Sequence, residues 1–205
     1  KQMTGYKQIN LNVMLNELGE SRVKDILSDF SCPLNRDVEY FLLNKSIEFA
    51  KQGLARTHLI YASYKKEMVL VGYFTLAIKS FTLTKNALSK SMRKKVAKFG
   101  QYNKELERYI ISAPLIGQLG KNYTNGYDKL ITGDELLKMA CDKISTSQLE
   151  LGGKIIYLEC EDKPKLLEFY QRNGFIQFGK RELDQDEIDK MDGKYLIQLL
   201  RYMSY

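Results

Sequence analysis

The sequence predicts an α/β fold, a single domain over residues 1–205 in which a central mixed β-sheet carries helices on both faces. Three observations predict it. The β-branched and aromatic runs THLIYASY and MVLVGYFTLAI flank the charged Lys65–Glu67, which is the pattern of an antiparallel hairpin. Residues 133–160 then run from a helical apolar stripe into a buried-strand pattern, and a second helix and strand follow directly. No internal repeat and no Pro/Gly/Ser-rich linker separates these segments, so they are expected to share one sheet.

In chain order, a polar start leads to LNVMLNELG and SRVKDILSDF, which have apolar residues at helical spacing. Gly19 is placed to stop the first helix and Ser21 to cap the second. After the turn FSCPLN, Asn35 is placed to cap a helix through RDVEYFLLNKSIEFAKQ that ends at Gly53. The predicted hairpin follows. Residues 85–108 are strongly basic and read as an insertion between strands, helical to about Phe99 and then a loop. Ile110 to Leu119 is strand-like, with Pro114 predicting an edge or bulge. DELLKMACDKIS is a helix with Leu136, Leu137, Ala140, Cys141 and Ile144 on one stripe, and KIIYLEC is a buried strand. Pro164 suits the first turn of the helix LLEFYQRN, Gly174 closes it, and FIQFGK is another strand. LDQDEIDKMDG is acidic and expected to be exposed before the last strand, YLIQLLRYM.

Composition narrows the chemistry. The chain is 44% apolar and 28% charged, enough for a real core and unlike a disordered chain. No stretch approaches the roughly 20 apolar residues of a membrane span, and KQMTGYKQIN lacks the apolar core of a signal peptide, so a cytoplasmic protein is expected. Cys32, Cys141 and Cys160 are widely spaced and odd in number, which argues for reduced, buried thiols and against a metal site. The single histidine, His58, lies inside a strand pattern and is read as structural. The net charge of +7 favours an anionic partner without choosing among nucleic acid, acidic protein and cofactor phosphates.

Particular residues carry a resemblance to a known family. KIIYLECEDKPKLLEFYQRNGF, with Phe169, Tyr170, Gly174 and Phe175, resembles the fifth strand and following helix of the GNAT N-acetyltransferase superfamily. APLIGQLGKN resembles that family's fourth strand. The family's pyrophosphate loop reads Gln/Arg-x-x-Gly-x-Gly/Ala; the aligned stretch here, Asp128 to Gly133, keeps only the last glycine. FSCPLNRDVEYFLLNKSIEFAKQGLARTHLIYASY and VLVGYFTLAI resemble one GNAT subgroup, the aminoacyl-tRNA-acetylating toxins, and the likeness covers roughly Phe30 to Phe178.

The resemblance implies a GNAT fold with a splayed fourth and fifth strand pair, acetyl-CoA as cosubstrate, no metal, direct transfer to an amine, and a homodimer at the level of family expectation. It implies that Tyr170 protonates the departing thiolate; an ordinary helix tyrosine burying its ring is the plain alternative. Backbone amides around Leu119, Gly120 and Lys121 are expected to hold the acetyl carbonyl, although Gly120 also reads as a simple bulge glycine. Lys129, Leu130, Ile131, Thr132, Gly133 and Asp134 are expected beneath the pyrophosphate, where helix-start amides do the binding and Asp128 faces solvent. Glu159 or Glu161 is a candidate base through water, and each is equally an ordinary strand-end acid. Arg93, Lys94 and Lys95 are candidate contacts to a tRNA backbone, or else a solvated helix face. A non-catalytic CoA- or nucleic-acid-binding module on a degenerate scaffold is the competing reading.

Overall fold

The structure, a computed structural model, describes residues 5–185, 187–191 and 193–204. Eight strands hydrogen-bond in the order β1-β2-β3-β5-β6-β8-β7, with β4 pairing to β5 off this path. The strands are β1 (Tyr6–Asn10), β2 (Arg56–Tyr64), β3 (Glu67–Thr84), β4 (Gly100–Asn103), β5 (Arg108–Lys121), β6 (Ile155–Glu161), β7 (Ile176–Glu182) and β8 (Tyr195–Tyr202). The chain folds as two compact units, one built from residues up to Ala77 with Gly117–Ala140, the other from Ile78–Ile116 and from Cys141 onward.

In the first unit, α1 (Leu11–Leu18) and α2 (Glu20–Leu27) meet at Gly19, which ends one helix and begins the other. Ser21 therefore lies inside α2 and does not cap it, because the chain turns directly at the glycine (φ 79°). Asn35 does cap: its Oδ1 accepts from the Asp37 and Val38 N–H groups at 3.1 and 3.2 Å. The helix that follows is α3 (Arg36–Tyr40), a wider π-helical turn over Phe41–Lys45, and α4 (Ser46–Gln52). Gly53 ends it in the left-handed region at φ 74°, where a Cβ would be strained. Leu11, Leu27, Val38 and Leu42 from these helices join Leu59, Tyr61 and Tyr73 from β2 and β3 in one core.

The β2–β3 hairpin turns at Lys65 and Lys66, both with left-handed φ (49° and 70°). Asn-Gly usually occupies such a turn, so here strand pairing and not local turn preference closes the hairpin. The polar start holds β1, which the sequence pattern did not reveal; it pairs antiparallel to β2, placing Asn10 opposite His58. His58 is buried, stacked 5.0 Å from Phe74, and its Nδ1 lies 3.0 Å from Gln8 Nε2.

In the second unit, the basic segment forms α5 (Lys90–Val96), a 3-10 turn over Ala97–Phe99, and then β4. The expected loop after Phe99 is thus partly strand, because Gly100–Asn103 finds a partner in Arg108–Ile111 of β5. Pro114, expected at an edge or bulge, sits inside β5, between the stretch paired with β4 and the residues paired with β6. Phe81 is the aromatic centre of this unit's core, 4.8 Å from Tyr157 and 4.7 Å from Phe178. The described part of the acidic Leu183–Gly193 stretch is exposed or half-buried, and its Asp186 and Asp192 lie outside the described residues. All three cysteines are buried and none forms a disulfide. Among the described residues, no helix is long and apolar enough to cross a membrane.

Candidate active site

The parallel pairing of β5 with β6 is two residues long, Leu115–Ile116 against Tyr157–Leu158. Beyond Leu158, Glu159, Cys160 and Glu161 pair only with β8 among the described residues. The helix α7 (Pro164–Arg172) begins on Pro164, whose fixed φ suits a first helical turn, and ends with the Gly174 and Phe175 amides bonding back to Gln171 and Tyr170. This return buries Tyr170 to 8% exposure, with Phe169 and Phe175 at 4.9 and 5.9 Å in edge-to-face contact.

Burial, and secondarily the Cys160 side chain, push the Tyr170 phenol well above its ordinary pKa. It is therefore a protonated donor throughout the physiological range. Burial likewise pushes the Cys160 thiol up to about 12, with Glu161 and Asp162 adding to the effect, so this neighbour is not a thiolate nucleophile. Glu159 is engaged at both oxygens: Oε2 accepts from Arg181 Nε and Oε1 from Gln198 Nε2, each at 2.8 Å. Arg181 continues to Glu187 through two 2.9 Å bonds. Glu161 is buried and accepts from Lys163 Nζ at 3.0 Å.

The second candidate region lies in the first unit, at the start of α6 (Gly133–Leu151). A 3-10 segment over Thr124–Leu130, with left-handed φ at Asn125 and Gly126, delivers Ile131 in extended conformation, 2% exposed. Ile131 thus replaces a loop glycine with an anchor in the core. Thr132 and Glu135 form a reciprocal cap: the Thr132 N–H and Oγ1 both donate to Glu135 Oε2 at 2.8 Å, and the Glu135 N–H donates to Thr132 Oγ1 at 3.2 Å. Tyr6 from β1 joins them, its hydroxyl 2.9 Å from the Leu130 carbonyl and 3.2 Å from Glu135 Oε2. The Thr132 amide bond is the main influence holding the Glu135 carboxyl below its usual pKa. Glu135 and Asp134 therefore put negative charge where a phosphate would be drawn. Two of the four amides at this helix start already have acceptors within the cap. Lys129 is exposed, and Asp128, expected to face solvent, is half-buried with its carbonyl accepting from Lys121 Nζ at 2.9 Å.

On β5, Leu119 and Lys121 are half-buried and Gly120 is buried. A Cβ on Gly120 would lie 2.3 Å from Val38 Cγ1, so the glycine lets α3 pack against the strand. Val38 is also held by the Tyr73 hydroxyl, which donates to its carbonyl at 2.6 Å. The polar hub beside this strand, Asn122, went unseen in the sequence. Its Oδ1 accepts from the Ser31 and Thr124 amides at 3.1 Å and its Nδ2 donates to the Leu70 carbonyl at 2.9 Å. Only Asn's mixed donor and acceptor ends, buried at 2% exposure, could have hinted at it.

Comparison with known proteins bears on the fold. No family model and no curated protein matches the sequence. Among solved structures, a tyrosine-to-phenylalanine mutant of KacT matches with a TM-score of 0.61 and 17% identity, over 95% of this chain and 94% of that one. AtaT complexed with acetyl-methionyl-tRNAfMet matches at 0.56 and 20%, over 83% and 85%. AtaTR bound with acetyl-CoA matches at 0.54 and 16%, over 95% and 93%. The chain has the GNAT fold. Its structural neighbours are the toxin-like GNAT proteins that the sequence resembled.

Proposed function

We propose that this chain is an acetyl-CoA-dependent N-acetyltransferase, a single catalytic domain that transfers acetyl directly to an amine. The observation that carries the reading is the β6–α7 arrangement: a strand released from its parallel partner after Leu158, followed by a helix that buries a protonated Tyr170. In this reading the amine nitrogen attacks the thioester carbonyl carbon and the C–S bond breaks. The thiolate takes the Tyr170 proton, and the amine proton leaves through water to a carboxylate. Burial raises the cost of a thiolate as well as a phenolate, so the raised phenol pKa does not forbid the transfer. Glu159 is held by Arg181 and Gln198 and Glu161 by Lys163, and either carboxylate, reached through water, is the proposed base. The Leu119–Lys121 amides are the proposed carbonyl donors and the Lys129–Asp134 turn the proposed pyrophosphate rest. The buried Cys160, pushed up to about 12, favours direct transfer over an acyl-cysteine.

The favoured acceptor is an aminoacyl-tRNA, because a structural neighbour is described in complex with acetyl-methionyl-tRNAfMet; a protein amine or small metabolite is the alternative. Arg93, Lys94 and Lys95 are proposed tRNA contacts, and a cytoplasmic homodimer is the proposed state. The self-capped start of α6 favours a second reading, a non-catalytic binding module on the same scaffold. Acetyl-CoA titration during thermal unfolding separates the two. A ligand at a hundred times its dissociation constant adds about 2.7 kcal/mol of stability, and no shift at millimolar cofactor removes the enzyme.

A further inference from the structure

The chain's positive charge is concentrated in one place. Residues 85–108 hold eight basic and two acidic side chains, a net +6 of the chain's +7, so the remainder carries only +1. Within α5 and the 3-10 turn that extends it, Lys90, Lys94 and Lys98 recur every fourth residue. They form one row about 6 Å apart, all exposed, while Val96 faces the core. None of the three is ion-paired among the described residues, so the row is not a salt-bridged helix face.

Aromatic rings lie beside two other cations of the same segment, Lys85 and Lys95. On the β4–β5 hairpin, Tyr102 and Tyr109 are register partners with ring centroids 5.1 Å apart, and Lys85 Nζ sits 4.7 Å from the Tyr102 ring. Tyr202 lies 5.5 Å from Lys95 Nζ. Both hairpin tyrosines are half-buried, and Tyr109 packs on one side against the core of this unit. An acidic protein would need the cations alone. Cations set beside half-buried aromatic side chains match a polymer that alternates phosphates with flat bases.

We propose that α5 and the β4–β5 hairpin form a docking surface for single-stranded RNA, with phosphates along Lys90, Lys94 and Lys98 and bases stacking at Tyr102 and Tyr109. This rests on the aminoacyl-tRNA form of the proposed function and adds to it a located surface and a binding mode. Fluorescence anisotropy of the full chain with a labelled single-stranded RNA of mixed sequence, across a salt series, tests it. K90E/K94E/K98E, or the milder K90Q/K94Q/K98Q, removes three phosphate contacts and should flatten the log–log salt slope by about 2. Tyr102→Ala should weaken binding about tenfold at every salt, and Tyr102→Phe should restore it. RNA binding unmoved by these variants, or a tighter hold on polyglutamate or duplex DNA than on the RNA, overturns the surface. RNA binding that responds as expected, without stabilisation by acetyl-CoA, removes the acetyltransferase and leaves the surface standing. The opposite pair of results does the reverse.

Discussion

The start of α6 and the β6–α7 region hold the two halves of the proposed chemistry in opposite physical states. At β6–α7 the proposed proton donor is a phenol enclosed by Phe169 and Phe175, its proton held by burial. At α6 the helix end that would attract phosphate is polar and already carries its own anion, since Glu135 accepts from the Thr132 amide and hydroxyl. In the proposed chemistry the first region is preorganised, whereas the second would have to exchange one negative charge for another. The difference teaches that a helix N-terminus is an anion site only to the extent that its sequence leaves the amides unclaimed.

The most severe test of this contrast is Tyr170→Phe, which keeps the aromatic packing and removes the proton. Turnover should fall about a hundredfold while acetyl-CoA affinity stays the same, as read from steady-state kinetics and calorimetry. Equal turnover would remove Tyr170 from the mechanism. Gly120→Ala comes next. Its Cβ would meet Val38 Cγ1, so the unfolding free energy should drop by about 2 kcal/mol in denaturant titration, whatever the cofactor does. An unchanged midpoint would return Gly120 to the carbonyl-binding role alone.

Glu135→Gln sharpens the α6 side. Glutamine keeps the capping geometry but not the charge, so acetyl-CoA should bind about tenfold more tightly. Weaker binding would mean that the Glu135 charge holds the turn in its cofactor-ready form. The smallest effect is on acid stability. The carboxyls of Glu135 and Glu187 both sit below their usual pKa, the latter through its Arg181 bonds and despite burial. Their stabilisation is therefore complete above the ordinary carboxylate range and fades as pH falls through the lowered folded-state values. Glu187→Gln should lower stability at neutral pH and flatten the stability-versus-pH curve on the acid side, where variant and parent converge.

The element order was legible because hydrophobic period and punctuation are local. Asn35 capping α3, Gly53 ending α4 and Pro164 opening α7 each act within a few residues of themselves. The placement of Tyr170 in α7 was legible for the same reason, since α7 and its Gly174–Phe175 exit are read from one short stretch. What was not legible depended on partners far along the chain. β1 is a polar run that becomes a strand only because β2 offers it an edge, and β4 becomes one because β5 does.

By itself the sequence determined the helices, the hairpin, the buried strand patterns and the concentration of charge in residues 85–108. Tertiary structure alone decided that Glu159 is tied to Arg181, that Gly120 makes room for Val38, and that Tyr6 closes on Glu135 across 129 positions of sequence. The physical reason is range. Backbone preference and hydrophobic period act over one or two turns, whereas a side chain's hydrogen-bond partner and the space beside a glycine are set by whichever segment the fold brings alongside.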